Sequence, residues 1–410
     1  MSNQKIMSGD ELRKLGVDLR RPGSVETLEE FRKYLPLIVI AENLKSLTYS
    51  EGGQNVILQK GLNYVMDIRQ YAHMYLNKNN DRLLKPADVQ FKEMYRPYFG
   101  QDLTDKKLFV WGTGGYGDLL FIQPNLIYLK EKYPSCKIFF TTKNPHQLIV
   151  KNWDCIDKVV DGPFDYNFLI DTDFHVFLQD IIPVVQQANH ENIYSLFSKW
   201  FGLNLPDKLL IPKLKPDQEA LNKCKEVLNN RNLKEKSFII VQLGASSLNR
   251  TPSSTVWKKL IDVLTENGHR IIISGHPELA QNIDIFIKTL NNQQNIFNFL
   301  HYSNNILDAI AMTSLSKFAI SPDSALIHIA EALGIKSFGI YGAFPGKLRL
   351  STYKNCDWID CKADCAPCFT HEYSLCTNVI DNYPACYDNL NIQEAIYKIS
   401  RNLNENIVSP

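Results

Sequence analysis

Residues 317–342 read KFAISPDSALIHIAEALGIKSFGIYG, and the rest of the chain can be ordered around this stretch. Its first apolar run, 318–320, has strand character, and Ser321-Pro322-Asp323-Ser324 then opens a helix. Ser321 is placed as an N-cap and Pro322 as the first helical residue, where a missing N–H costs nothing. Ile327, Ile329, Ala330, Ala332 and Leu333 give the helix a broad apolar face, and Gly334 is placed to end it. Residues 337–341 return as a second strand. This unit predicts that the N–H groups of Asp323, Ser324 and Ala325 converge at the positive end of a helix, a good place for a phosphate. His328 lies one turn below Ser324 on the same face. An ordinary buried strand–helix–strand unit with a satisfied histidine fits these residues as well.

At 410 residues the chain has room for two domains of ordinary size and a smaller piece. Its 45 basic and 44 acidic residues nearly cancel, so no global field draws it to nucleic acid or anionic lipid. No apolar window is long enough to span a bilayer, and the polar start MSNQK is no secretory signal, so a cytoplasmic protein is expected. Six of the nine cysteines (Cys356, Cys361, Cys365, Cys368, Cys376 and Cys386) crowd into residues 356–386. In a reducing compartment such crowding points to metal before disulfides.

Residues 1–100 read as a small helical domain. Ser8 with Glu11 and Thr27 with Glu30 have capping-box spacing, and Leu28, Phe31, Leu35 and Ile38 recur at helical intervals. Gly52-Gly53 breaks the pattern, and Val56, Leu62, Val65, Ile68 and Tyr71 resume it. Next comes an α/β half, 101–210. Its first strand, 108–111, runs into the glycine-rich turn Gly112-Thr113-Gly114-Gly115-Tyr116-Gly117-Asp118, with a helix expected from near Leu119. The Asp118 carboxylate stands at the C-terminal edge of that strand, where open α/β sheets place ligands. Further strands are expected at 137–141, 158–160 and 167–170, the last ending in Asp171, Asp173 and His175, either a metal or acid/base cluster or a solvated loop. Pro206, Pro212 and Pro216 mark a linker. The second α/β half, 211–410, has strands at 238–243 and 270–274. The loop Gly244-Ala245-Ser246-Ser247-Leu248-Asn249-Arg250 ends in a cation, and Gly275-His276-Pro277-Glu278 forms a later turn. Two such halves about a hinge suggest a cleft with ligands at the strand C-termini of both.

Read together, these pieces resemble glycosyltransferase family 9, the heptosyltransferases. The resemblance runs from about Lys107 to Asn402 and implies the GT-B architecture, two facing Rossmann-like domains with a cleft. Gly117-Asp118-Leu119-Leu120 with Pro124 looks like the family's first motif, and Gly244-Ala245-Ser246 with Arg250 like its second-domain phosphate loop. Gly275 to Glu278 resembles the glycine-proline-glutamate turn, and Asp323-Ser324 with His328, Ala330 and Ala332 the donor-site helix. Two positions depart from the family. Ala325 replaces the glycine usual after Asp-Ser, and Thr251-Pro252 replaces a tryptophan-proline pair.

The resemblance implies an inverting glycosyltransferase that takes a sugar, heptose-like, from a nucleotide-sugar donor and needs no catalytic metal. Asp118 can activate the acceptor hydroxyl as a general base, and as a residue type it equally suits a helix N-cap. Gly115 and Gly117 would line the acceptor-side loop. Gly244, Ser246, Arg250, Asp323, Ser324, Ala325 and His328 would hold the donor, with Arg250 as a planar charged fork on the diphosphate. His328 could reach the diphosphate or orient Ser324. The acceptor stays open between a lipopolysaccharide-core sugar, a protein side chain and a hydroxymethylated DNA base, and a homo-oligomer is compatible with the sequence. A non-catalytic sugar-nucleotide-binding or scaffold protein is the rival that Ala325 motivates. Cys365, Cys368, Cys376 and Cys386 have spacing compatible with tetrahedral zinc or iron, against reduced thiols or disulfides. In autotransporter heptosyltransferases, which this segment resembles, a similar stretch holds a structural iron.

Overall fold

The computed structural model describes residues 26–29, 38–43, 47–51, 54–58, 63–67, 84–86, 96–112, 114–161, 166–178, 185–370 and 376–403. The chain divides into two compact units, Met1–Pro206 and Asp207–Pro410.

The helical expectation for 1–100 is corrected over most of its described residues, which are strands. They are β1 (Ile38–Asn43), β2 (Leu47–Glu51), β3 (Gln54–Leu58), β4 (Asn63–Asp67) and β5 (Leu84–Pro86). β1 pairs antiparallel with β4 and β5, and β2 pairs with β3 so that Glu51 faces Gln54. The reason is local. Runs such as IVIAEN and QNVIL are short and β-branched, and Gly-Gly between two such runs is a hairpin signature rather than a helix break. Leu28 is helical and buried, and its N–H donates to the Gln187 side chain. The Ser8–Glu11 pair, Phe31, Leu35, Leu62, Ile68 and Tyr71 lie outside the described residues.

The rest of the first unit carries a parallel sheet of β6 (Lys107–Gly112), β7 (Lys137–Thr141), β8 (Lys158–Val159) and β9 (Phe174–Leu178), in the order β8-β7-β6-β9. Two expectations change here. Residues 166–170 form the short helix Tyr166–Ile170, and the strand follows them. The cluster of Asp171, Asp173 and His175 is accordingly dispersed. His175 sits inside β9, 1% exposed, accepting the Arg96 N–H at Nδ1 (3.2 Å), with Nε2 2.9 Å from the Thr172 hydroxyl. Asp173 accepts the Lys107 N–H at 2.8 Å, and Asp171 is exposed. Burial pushes the His175 pKa down to about 4.

That shift makes a stability prediction. The unfolded chain takes up a proton on this histidine near pH 6.5 and the folded chain only near 4. Its contribution is therefore complete above pH 6.5 and is lost as pH falls from 6.5 to about 4, at about 1.4 kcal/mol per pH unit. A His175→Gln variant should show a shallower fall in Tm over that window than the parent, read by thermal melts from pH 7 to 4. Parallel curves would remove His175 from the acid response.

In the second unit, β10 (Phe238–Gln242), β11 (Arg270–Ser274), β12 (Ile296–Asn298), β13 (Phe318–Pro322), β14 (Ser337–Tyr341) and β15 (Cys356–Asp360) form a parallel sheet ordered β12-β11-β10-β13-β14-β15. Continuous apolar runs such as FIIV (238–241) and III (271–273) suit strands covered on both faces. Trp257, Leu260 and Ile261 from the Ser254–Glu266 helix pack on one face, and Cys224, Met312 and Leu326 lie in the core on the other. The connection leaves β10 toward β11 and returns to β13 on its other side. The gap between the C-terminal ends of β10 and β13 is thus the switch point, the usual ligand position in such a sheet.

Gly334 ends its helix as expected. It takes φ +69°, donating to Glu331, while Ile335 donates to Ala330, a Schellman closure. The start of that helix is corrected. Ser321 and Pro322 extend β13, opposite Gly339 and Ile340 of β14, and the helix is Ala325–Ala332 with Ser324 as its N-cap. The Ser321 hydroxyl donates to the Pro322 carbonyl at 2.9 Å instead of capping a helix. Pairing of β13 with β10 stops at Ile320, so Pro322 can end the strand without leaving a ladder partner on that side.

Candidate donor and base sites

The switch-point gap of the second unit brings together the two stretches read as donor-binding. The loop from Gly244 to Thr251 closes on itself: the Thr251 hydroxyl accepts the Ala245 N–H at 3.1 Å and donates to the Ser247 carbonyl at 2.9 Å. Thr251, noted in the sequence only as a departure, is thus the clasp of this loop. A single helical turn, Leu248–Arg250, then aims Arg250 at β13. Its guanidinium donates to the Ser246 hydroxyl (2.8 Å) and to the Asp323 carbonyl (2.9 Å), with the Asp323 carboxylate 3.7 Å away. Arg250 keeps 22% of its side chain exposed while Asp323 is buried.

Beside it the Ala325–Ala332 helix begins. Ser324 makes no side-chain cap bond, because its hydroxyl lies 2.6 Å from that of Ser321. The first-turn N–H groups are those of Ala325, Leu326 and Ile327, shifted from the expected set of Asp323, Ser324 and Ala325. A helix N-terminus with no side-chain cap, next to a fixed guanidinium, is suited to a multiply charged anion. Gly244 starts the loop, half-buried, and Ala325 is half-buried at the helix start.

His328 is buried, and its Nδ1 lies 2.6 Å from the Tyr353 hydroxyl, a partner the sequence did not reveal. Burial holds its pKa down to about 3, so it is a neutral imidazole and adds no positive charge to the site.

In the first unit, the helix after β6 is Tyr116–Lys132, starting three residues before the expected Leu119. Gly117 and Asp118 therefore lie in its first turn and not in the loop. The half-buried Asp118 carboxylate reaches back to accept the Gly115 N–H at 2.6 Å, so the capping geometry is real. Gly114 takes φ +101°, and a Cβ there would strike the Asp118 carboxylate. On the flank, the His146 ring lies 4.4 Å from the Tyr116 ring, centroid to centroid, and is tilted against it by 52°. Residue type alone did not flag His146.

The cysteines divide into two groups. Cys356 and Cys361 belong to β15 and its end, and burial pushes both thiols up. Cys365 and Cys368 are exposed, Cys376 half-buried and Cys386 buried, and none forms a disulfide. Burial pushes the Cys386 thiol up to about 12, with Cys365, Cys368 and Cys376 adding to the effect as neighbours. Among the described residues, no three His, Cys, Asp or Glu side chains are drawn together as a metal site.

This arrangement can be set beside known proteins. Residues 179–377, just under half of the chain, match the model of glycosyltransferase family 9 (heptosyltransferase). The match begins after Asp118 and ends between Cys376 and Cys386. The fold is that of the GT-B heptosyltransferases. Escherichia coli ADP-heptose lipopolysaccharide heptosyltransferase II superposes with a TM-score of 0.55 at 15% identity, over 73% of this chain and 98% of that one. A family 9 glycosyl transferase from Veillonella parvula gives 0.57 at 12%, over 75% and 99%. The iron-containing dodecameric glycosyltransferase TibC from enterotoxigenic E. coli gives 0.51 at 11%, over 93% and 98%. No curated protein matches the chain by sequence. Among the described residues, no helix is long and apolar enough to cross a membrane.

Proposed function

We propose that the chain transfers a heptose-like sugar from a nucleoside-diphosphate donor to a hydroxyl acceptor, with inversion at the anomeric carbon. The carrying observation is the union of Arg250, Ser246 and the start of the Ala325–Ala332 helix at the β10–β13 switch point. In this reading Asp118 takes the acceptor proton as the acceptor oxygen bonds to the anomeric carbon. The bond from that carbon to the diphosphate breaks in the same step, which inverts the centre. The departing negative charge is met by Arg250 and by the N–H groups of Ala325, Leu326 and Ile327. Charge already in place does the work that a divalent cation does elsewhere, so no catalytic metal enters. A panel of nucleotide sugars tested by thermal shift is the direct search for the donor. A true donor at a hundred times its Kd should add about 2.7 kcal/mol to stability, and a panel with no stabilising member would count against the reading.

The cysteine segment has a separate, structural task. Cys365, Cys368, Cys376 and Cys386 carry the soft ligands that zinc or iron takes, and TibC, whose fold likeness spans most of this chain, contains iron. Bound metal would tie a segment with little regular structure to the sheet. Metal analysis of protein purified without added metal should find about one zinc or iron per chain, lost when Cys365 and Cys368 are both replaced by Ser. Metal-free protein with four titratable thiols and an unchanged Tm would contradict this.

A further inference from the structure

The cysteine segment touches the nucleotide loop directly, at a residue no motif singles out. Asn249 is 4% exposed and stands next to Arg250 within the single turn Leu248–Arg250. Its Oδ1 accepts the backbone N–H of Cys376 at 2.9 Å, across 127 residues of sequence. Short-range bonds within the turn run from Asn249 N–H to the Ser247 hydroxyl, from Arg250 N–H to the Ser247 carbonyl, and from Thr251 N–H to the Leu248 carbonyl. The far side of the loop is tied to the same segment, since the Ser253 hydroxyl donates to Asp388 at 3.1 Å. Between these ties runs the hairpin of Val379–Ile380 and Tyr383–Pro384, whose second strand packs on the Leu248–Arg250 turn.

We propose that Asn249 is a positioning residue through which the cysteine-rich segment fixes the aim of Arg250, so that this segment braces the nucleotide site as well as stapling the C-terminal region. A one-turn loop has few bonds of its own to hold a long side chain in one direction. Two ties hold it, from 376 to Asn249 within the turn and from 388 to Ser253 just beyond it, and whatever fixes the thiols fixes the brace. The inference rests on the reading of Arg250 as the diphosphate cation.

The test is a double-mutant cycle read by calorimetric titration of ADP and AMP, using the full chain. Asn249→Ala should weaken ADP binding roughly three- to tenfold, as loss of one positioning hydrogen bond does, and AMP binding less. In an Arg250→Ala background the same change should cost nothing further, because its effect passes through the missing guanidinium. Asp388→Ala, which loosens the brace from the segment side and leaves the loop sequence intact, should move ADP affinity in the same direction and carries the test if Asn249→Ala fails to fold. Undiminished ADP affinity in both variants, with Arg250→Ala weakened, would overturn the brace and leave the donor site standing. So would an Asn249→Ala effect that persists in full without Arg250. If Arg250→Ala itself leaves ADP binding unchanged, the donor reading falls and takes the brace with it.

Discussion

Asp118→Asn is expected to lower kcat by about 10²–10⁴ while donor affinity stays nearly unchanged, the pattern of a lost general base. The geometry makes this a clean substitution. Asp118 accepts the Gly115 N–H at 2.6 Å, and an asparagine keeps an oxygen in that place, so the turn and the helix start survive. What disappears is the capacity to take a proton. Capping and catalysis are thereby separated: a residue that only caps would tolerate asparagine, whereas a base would not. The close approach of Gly114 to the carboxylate shows how tightly the group is housed. Steady-state kinetics with a fold check by circular dichroism decides it, and comparable turnover in the variant would remove Asp118 from the mechanism.

Arg250→Ala should weaken both the donor and the free nucleoside diphosphate by about ten- to a hundredfold in Kd, since hydrogen bonds to a charged group are worth about 1.5–3 kcal/mol. The guanidinium is already aimed by Ser246 and Asp323, so binding spends little on ordering it. Nucleoside monophosphate binding should change less, because it lacks the phosphate nearest the leaving oxygen. Ala325→Gly should be harmless or tighten the donor, since it removes a Cβ at the first helical residue, whereas Ala325→Val should obstruct it. Titration of all three variants with ADP and AMP tests the pattern. Unchanged affinity in Arg250→Ala with a tolerated valine would place the donor elsewhere.

The sequence was most legible where burial dictated composition. Residues 137–141 and 270–274 are strands over the expected spans, because continuous apolar runs bounded by turns leave a buried parallel sheet little alternative. It misled where tertiary pairing overrode local propensity. Ser321-Pro322 has the composition of a helix start, yet pairing with Gly339 and Ile340 keeps it in β13. A histidine as the second residue of Phe174–Leu178 disguised a core strand as a polar loop. In the described residues before Arg96, the β-branched content outweighs the helical spacing of the apolar residues and decides for strands. Ser246, Arg250 and Asp323 are expected to lie together by resemblance, and the structure joins them. The tie of Asn249 to Cys376 was not legible, because a hydrogen bond spanning 127 residues leaves no local signature.

The most direct test of the central claim is release of nucleoside diphosphate from the donor identified by thermal shift, measured with purified protein and no acceptor. A transferase whose base and leaving-group site are intact should let water stand in for the acceptor. Slow release is therefore predicted for the wild-type chain, with a marked loss in Asp118→Asn and Arg250→Ala. A chain that binds this donor tightly yet releases no diphosphate, with or without candidate acceptors, would contradict the account and leave a sugar-nucleotide-binding protein.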